Sequence, residues 1–581
     1  MFLLYIGRQA PACLETNPGV SRLAAGKWHA YFQCDDLFSS LRHEPDGRVL
    51  LAEDILACAA ATDEFTGAFS TAAVDPIACR AVIEKKSIGG RPLYYYADNS
   101  VFVCTTHVRN FRKVGLPLAV NEAVLPEFFV YRLVMPPHTL YQNVRQLIPG
   151  QQAVVDFQGD EIRVRTLHQF LPDRGPAGES QAISEASAAF NDSIRALLPV
   201  RDGVAVFLSG GLDSSTIYRI AHMTLGTSKS YSTGYPFEDE EWNTEKAYAL
   251  SAAQALGSEH TYLDTTSEEY HDALVQSIWT AEEPLHHVQS PMMYLLCKKA
   301  LRPEENIILS GFGAGTFFGL HYHYEAAARC GWKHRFLKQP VRNILRLIGA
   351  GAIVPERVTA GIAGKTNLRT DMKDAAYFLW GVGIYGDPQW VRDTFGCSSQ
   401  DIVQRRLETI GAYAGMHLYD QISIVDYLGD ACLTQYIWGK IAESHAKKMY
   451  YPFTSEKFIR SAFSMSWDYK MKYPKHAVKE IARHSGVPEF IITRPKSGFG
   501  IQNQRWISDG GPLGPLIELT AELDNTFGIH GIDCRDADAR MIRWNIMNFV
   551  LWKAMMIDNR SPEELTERLA AGNGQHAGIS P

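Results

Sequence analysis

The 581-residue chain lacks any uninterrupted run approaching the roughly 18 apolar residues that a membrane-spanning helix needs. Its opening, Met1-Phe-Leu-Leu-Tyr-Ile-Gly-Arg, is too short an apolar run for a secretory signal and has no basic segment before it. Charge of one sign is also lacking. The 57 Lys and Arg face 64 Asp and Glu, a formal balance of −7, and nothing in it favours nucleic acid or an anionic membrane surface as partner. Cysteine is sparse: 10 residues with no Cys-x-x-Cys pair leave neither a zinc ribbon nor a disulfide scaffold, and a reducing cytoplasm is the expected setting. Two patterns are missing as well, the Gly-x-x-x-x-Gly-Lys-Ser/Thr phosphate loop and any internal repeat at solenoid spacing. What is left is the profile of an enzyme with two or more domains.

What the chain does have is Val204-Ala-Val-Phe-Leu-Ser-Gly-Gly-Leu-Asp-Ser-Ser215. Val204 to Leu208 is the short apolar run of a parallel central strand, and Thr216-Ile-Tyr-Arg-Ile-Ala-His continues at helical spacing. Gly210 and Gly211 allow a tight turn and close approach to a ligand, while Ser209, Ser214 and Ser215 supply hydroxyl and amide donors. The unpaired amides of the following helix favour a phosphate there, and the one anion of the loop, Asp213, makes sense beside phosphates as a holder of Mg²⁺. The implied ligands are ATP and Mg²⁺.

Residues 1 to about 165 are rich in short alternating strands, among them Ala81-Val-Ile-Glu, Leu93-Tyr-Tyr-Tyr, Val101-Phe-Val-Cys, Gln152 to Phe157 and Ile162-Arg-Val-Arg. Leu171 to Glu179 reads as a linker, and Ser180 to Leu198 as a helix leading into the nucleotide strand. Strands then alternate with helices to about residue 320, the pattern of a parallel sheet, and helical periodicity dominates to about 570.

The motifs, in order, resemble class II glutamine amidotransferases of the asparagine synthetase type, a group that includes β-lactam synthetases and lasso-peptide cyclases. The resemblance rests on Phe65-Thr-Gly-Ala-Phe, Lys85 to Tyr95 and Thr139 to Gly150 in the first part. In the second it rests on Ser209 to Ser215, Ser230-Tyr-Ser-Thr-Gly-Tyr235, Glu283-Pro284, Leu309-Ser-Gly-Phe-Gly-Ala-Gly315, Tyr451-Pro-Phe453, Lys475-His-Ala-Val-Lys479 and Thr493-Arg-Pro-Lys-Ser-Gly-Phe499. It implies an α/β protein of two parts. Residues 1–168 would form a degenerate α+β glutaminase-like domain of the Ntn type, with stacked antiparallel sheets. Residues 180–570 would form an α/β ATP-pyrophosphatase domain (adenine nucleotide α-hydrolase-like) with a parallel sheet and added helices, and 571–581 a disordered tail.

The activity implied is a ligase that adenylates a carboxylate, releases AMP and pyrophosphate, and couples the acyl group to ammonia or a substrate amine. Leu208, Ser209, Gly210, Gly211, Asp213, Ser214 and Ser215, with Ser232, Thr233, Gly234, Ser310 and Gly311, are the implied nucleotide contacts, with Asp213 on the metal. Lys496 and Lys475 match the lysines that face the charge developing on the phosphates, and Glu283 is the candidate base. His286, His287, His321 and His323 are alternatives for a base, and no third ligand is evident for a metal beside His321 and His323.

The chain also departs from the family pattern. Position 2 is Phe2 where glutamine-using members carry the nucleophilic cysteine, and Ala52-Glu-Asp-Ile replaces their Asn-Gly-Glu, so glutaminase activity is expected to be absent. Phe312 and Gly315 stand where the family has a catalytic Glu and a metal-holding Asp, and Lys448 where it has a Glu. In β-lactam synthetases the first of these positions is Tyr, so Phe312 keeps the ring without the hydroxyl. Two alternatives stay open: a β-lactam or lasso-type cyclase, and a catalytically impaired nucleotide-binding scaffold. The partners implied are a small-molecule or peptide carboxylate and an amine, a precursor peptide or protease in the cyclase case, and a homodimer as one form of assembly.

Overall fold

The computed structural model describes residues 2–576 except 10, 18, 35–38, 54–69, 87–90, 169–178, 236–239, 321–322, 324–385, 387, 399–400, 403–405, 407, 410, 412, 414–415, 495–505, 508–510 and 533–536. The expected linker, the Phe65–Phe69 landmark, His321 and Lys496 therefore lie outside the described residues.

The N-terminal part is built from two six-stranded antiparallel sheets. One runs Arg145–Leu147, Leu93–Ala97, Val101–Thr105, Phe2–Gly7, Trp28–Cys34, Ser21–Ala25; the other runs Arg163–His168, Gln151–Asp156, Arg80–Lys85, Ser70–Asp75, Val49–Glu53, Ser39–His43. Side-chain alternation decides what each face meets. Leu4, Ile6, Trp28 and Phe102 of the first sheet pack onto Leu51, Val74, Ile83 and Val155 of the second, closing a sandwich core. Leu3, Tyr5, Tyr31 and Val103 point the other way, into the larger core that continues through the C-terminal part. The first sheet is thus covered on both faces.

The C-terminal sheet is wholly parallel, in the order Glu259–Leu263, Lys229–Thr233, Val204–Phe207, Ile307–Leu309, Lys448–Tyr450. Val204–Phe207 is buried along its whole length, as its apolar run requires. Its sequence neighbour lies on one side and a later strand on the other, so chain direction across the sheet reverses here. Open α/β sheets place ligands outside the carboxyl ends of the strands at such a switch point. The fifth strand, Lys448–Tyr450, lies inside the segment that periodicity assigns to helix; three residues are too few to print a period-2 pattern.

The helix expected over 180–198 runs Glu179–Arg195 and is followed by a 3₁₀ segment, Leu198–Gly203. The strand read at Ile162–Arg165 runs Arg163–His168, and the last helix, Pro562–His576, continues into the expected tail. No helix among the described residues is long and apolar enough to cross a membrane.

Buried ion pairs join the two parts. Arg91, 1% exposed, meets Glu443 at 2.6 Å. Glu282 is fully buried and takes Lys440 Nζ at 2.7 Å, Arg109 Nε at 2.8 Å and the backbone N–H of Val108 at 2.8 Å. Burial works to raise the Glu282 carboxyl pKa, but Lys440, His107 and Arg109 outweigh it and bring it down to about 2.

Candidate functional site: a pyrophosphate loop and the wall facing it

Helix Leu212–Leu225 starts without a side-chain cap, leaving its first amides for a ligand. Leu208, buried at the end of the central strand, donates its N–H to Tyr231 O at 2.9 Å and fixes the exit of the chain. Gly210 has φ +73°, and a Cβ there would lie 2.4 Å from the carbonyl oxygen of Tyr248, so only glycine fits. The loop is braced from within. Ser209 N donates to Ser214 Oγ at 3.2 Å, the two hydroxyls are 3.1 Å apart, and Gly211 N donates to Ser209 Oγ at 3.4 Å. Ser215 Oγ is buried and has no partner among the described residues.

Asp213 lies in the first helical turn. Its Oδ2 accepts from Lys475 Nζ, and its Oδ1 is buried and unbonded among the described residues. Lys475 precedes helix His476–His484 at φ +57°, a left-handed conformation of the kind held at functional sites. Arg494 pairs with Glu245 and lies 3.8 Å over the ring of Tyr248, the residue whose carbonyl flanks Gly210. Arg494 is thereby held beside the loop, and Lys496 lies outside the described residues.

The neighbouring strand ends differ. Ser232 Oγ sits 2.8 Å from His260 Nε2, and Thr233 Oγ1 donates to Leu263 O at 2.7 Å, so both hydroxyls are engaged. At Gly234 a Cβ would fall 2.3 Å from the Tyr262 hydroxyl. Across the switch point, Ser310 Oγ accepts from Phe312 N at 3.4 Å, and Gly311 packs so closely that a Cβ would stand 3.0 Å from Ser214 N and 3.1 Å from Asp213 Cβ. Leu208–Ser215, Ser310–Gly311 and Lys475 are thus one constellation. An uncapped helix start, an unbonded carboxylate oxygen and a lysine suit a nucleoside triphosphate with Mg²⁺.

The family model described as "Asparagine synthase" matches residues 185–529, more than half of the chain and the whole of this constellation. The chain belongs to the asparagine synthase family. A second model, "Glutamine amidotransferase domain", matches residues 34–169. The chain is 23% identical over 499 residues to asparagine synthetase [glutamine-hydrolyzing] 1 of Bacillus subtilis, covering 83% of this chain and 76% of the relative. It is 22% identical over 480 residues to a putative asparagine synthetase [glutamine-hydrolyzing] of Mycobacterium tuberculosis, covering 78% and 70%.

In this member of the asparagine synthase family the wall beyond Gly311 is apolar and histidine-rich. The Phe312 ring makes edge contacts with Trp438 at 5.1 Å and His287 at 5.8 Å between centroids. A Cβ on Gly315 would meet Leu320 Cδ2 at 2.3 Å, so leucine fills the space that a side chain at 315 would need. Lys448 is buried in the fifth strand.

Glu283 faces the N-terminal part and accepts from Tyr94 OH at 3.1 Å; no hydrogen bond or ion pair described for it links it to Asp213 or Lys475. Burial raises its carboxyl pKa to about 7, against the pull of Lys440 and the Tyr94 hydrogen bond. His323 is a packing residue, stacked at 4.9 Å on Trp467 with Nε2 3.0 Å from Ser423 Oγ.

His286 and His287 come together with Asp430, whose Oδ1 is 2.5 Å from His286 Nε2 and 2.7 Å from His287 Nε2. Burial pushes the His286 imidazole down to about 4. Asp430 lies well below the usual carboxylate range, because the two imidazoles outweigh its desolvation. Sequence reading missed Asp430, which sits 143 residues from His287 in a π-helical turn, Tyr427–Ala431.

Proposed function

We propose that the chain is an ATP-dependent carbon–nitrogen ligase that activates a carboxylate, releases AMP and pyrophosphate, and passes the acyl group to ammonia or a substrate amine. Family membership supports the ligase class. One observation supports nucleotide chemistry in this chain: at an uncapped helix start, Asp213 keeps one buried oxygen unbonded while its other oxygen holds Lys475. ATP supplies the driving force by making the carboxyl carbon electrophilic. The chain's part is to cradle the phosphates with the amides of Ser209–Ser215, to hold Mg²⁺ on Asp213, and to neutralise developing charge with Lys475 and Lys496. Mg²⁺ commonly takes only one or two protein carboxylates, so Gly315 in place of the family's Asp leaves the metal role workable.

The amine is proposed to come from ammonia or from the substrate rather than from glutamine, because Ala52-Glu-Asp-Ile lacks the family's Asn-Gly-Glu grip. A lactam or macrolactam closure is one form of this chemistry. The test is pyrophosphate release from ATP across pools of carboxylates, with ammonia, glutamine or amines as acceptors. Release with ammonia or amines but not with glutamine alone is the expected result. A second reading, a nucleotide-binding scaffold without turnover, is favoured by Leu320 filling the space at Gly315. It becomes the better account if ATP binds and no pool elicits pyrophosphate.

A further inference from the structure

Beyond the nucleotide loop, three metal-ligand side chains converge in a way that ordinary packing does not require. The ligand atoms of His286, His287 and Asp430 lie within 4.8 Å of one another. His286 Nδ1 is 3.3 Å from the backbone carbonyl of Arg132, and since a carbonyl only accepts, Nδ1 carries the proton. With the proton on Nδ1, Nε2 turns its lone pair toward Asp430 Oδ1, 2.5 Å away. His287 Nε2 meets the same oxygen at 2.7 Å. Two electron-pair donors so close repel unless a proton or a metal cation lies between them, and here one carboxylate oxygen faces two imidazole nitrogens at once. A ring N–H held by a backbone carbonyl is also the usual support of a metal-bound histidine.

We infer that His286 Nε2, His287 Nε2 and Asp430 Oδ1 bind a divalent transition-metal ion of the Zn²⁺ class, leaving a fourth coordination position for a donor atom of a substrate or for water. Two imidazoles and one carboxylate form a donor set that suits Zn²⁺ and its neighbours rather than Mg²⁺. Bonds of about 2.0–2.2 Å set tetrahedral ligands roughly 3.4 Å apart, so the ion is admitted by movements of about 1 Å or less. Asp430 is 29% and His287 15% exposed, which gives the ion and a fourth ligand an entry that fully buried His286 does not provide. His287 touches Phe312, and Phe312 follows Gly311, which packs on the first turn of the pyrophosphate helix. Through Phe312 and Gly311 the ion would adjoin the loop, a place for holding an acceptor. The metal site does not depend on the ligase reading, since binding is measured without turnover.

The experiment uses the full chain, stripped with a chelator and titrated with Zn²⁺ against a chromogenic competitor in excess Mg²⁺. One equivalent of tightly held Zn²⁺ is expected, and the same equivalent in Asp213→Asn, which locates it away from the nucleotide loop. Asp430→Asn and His287→Gln should weaken it by more than about 100-fold, because even outer-shell losses cost 10–100-fold. As a check independent of variant folding, X-ray absorption on the Zn²⁺-loaded wild type should show a sulfur-free shell with two imidazoles. The proposal is overturned if the wild type holds no equivalent, if the shell contains sulfur or fewer than two imidazoles, or if folded Asp430→Asn keeps wild-type affinity.

Discussion

Along Ser209–Ser215 polar atoms stand ready, with Asp213 Oδ1 and Ser215 Oγ buried and unbonded among the described residues and a helix start uncapped. On the other side of Gly311, the wall formed by Phe312, Trp438 and the segment Glu282–His287 turns its charges on its own neighbours: Glu282 on Lys440 and Arg109, with Glu443 on Arg91 close by in the chain. The first side is preorganised to receive charge from outside. The second is cross-braced, and its rigidity comes from ion pairs that also tie the N-terminal sheets to the synthetase part. Binding of nucleotide and integrity of the fold should therefore respond to different substitutions.

The contrast is sharpest at Lys440. Lys440→Met leaves the Glu282 carboxylate buried with half its countercharge, and a loss of about 3–5 kcal/mol in chemical denaturation is expected. A loss below about 1 kcal/mol would show that the wall is not braced by this pair. Asp213→Asn should act in the opposite manner, leaving the denaturation midpoint nearly unchanged while lowering pyrophosphate release by about 100-fold or more. Equal loss of stability and activity would erase the distinction between the two sides.

Glu283→Gln tests the wall through pH. The Glu283 carboxyl titrates near 7 when folded against an ordinary value of 4.5, so its contribution to stability is fully present below about 4.5 and is lost as pH rises through 7. The variant, which never ionises, should match the wild type near pH 4.5 and exceed it increasingly up to pH 8, by up to about 3 kcal/mol. A flat difference in melting temperature between pH 5 and 8 would contradict that environment. The smallest effect is expected of Phe312→Tyr. The ring keeps its edge contacts with Trp438 and His287, and both stability and ATP affinity should change by less than about 1 kcal/mol. A larger fall in ATP affinity would move Phe312 to the nucleotide side.

The same division explains what could be read from the chain before folding. The pyrophosphate loop is contiguous, and its strand, glycine turn and helix each write a local pattern over Val204–Leu225. Of the parallel sheet, the central strand was legible as an apolar run and the alternation of strands and helices to about residue 320 with it, while the last strand, Lys448–Tyr450, was not. The opposite wall was legible only in pieces, Glu283-Pro284, His286, His287 and Phe312, and not in the contacts that join them. Lys440 reaches back 158 residues to Glu282, and Asp430 is oriented by a π-helical turn whose extra residue per turn shifts the side-chain register away from ordinary amphipathic spacing. Arg91 and Glu443 lie 352 residues apart in the chain, and only the sandwich seating itself on the synthetase part makes them a buried pair.

Leu320, lying over Gly315, also sets what one substitution could change. A carboxylate side chain at 315 would meet Leu320 Cδ2 and Cγ first, so Gly315→Asp would be accommodated only if Leu320 gave way. Two coordinated changes, not one, separate this wall from a version that offers a carboxylate at 315.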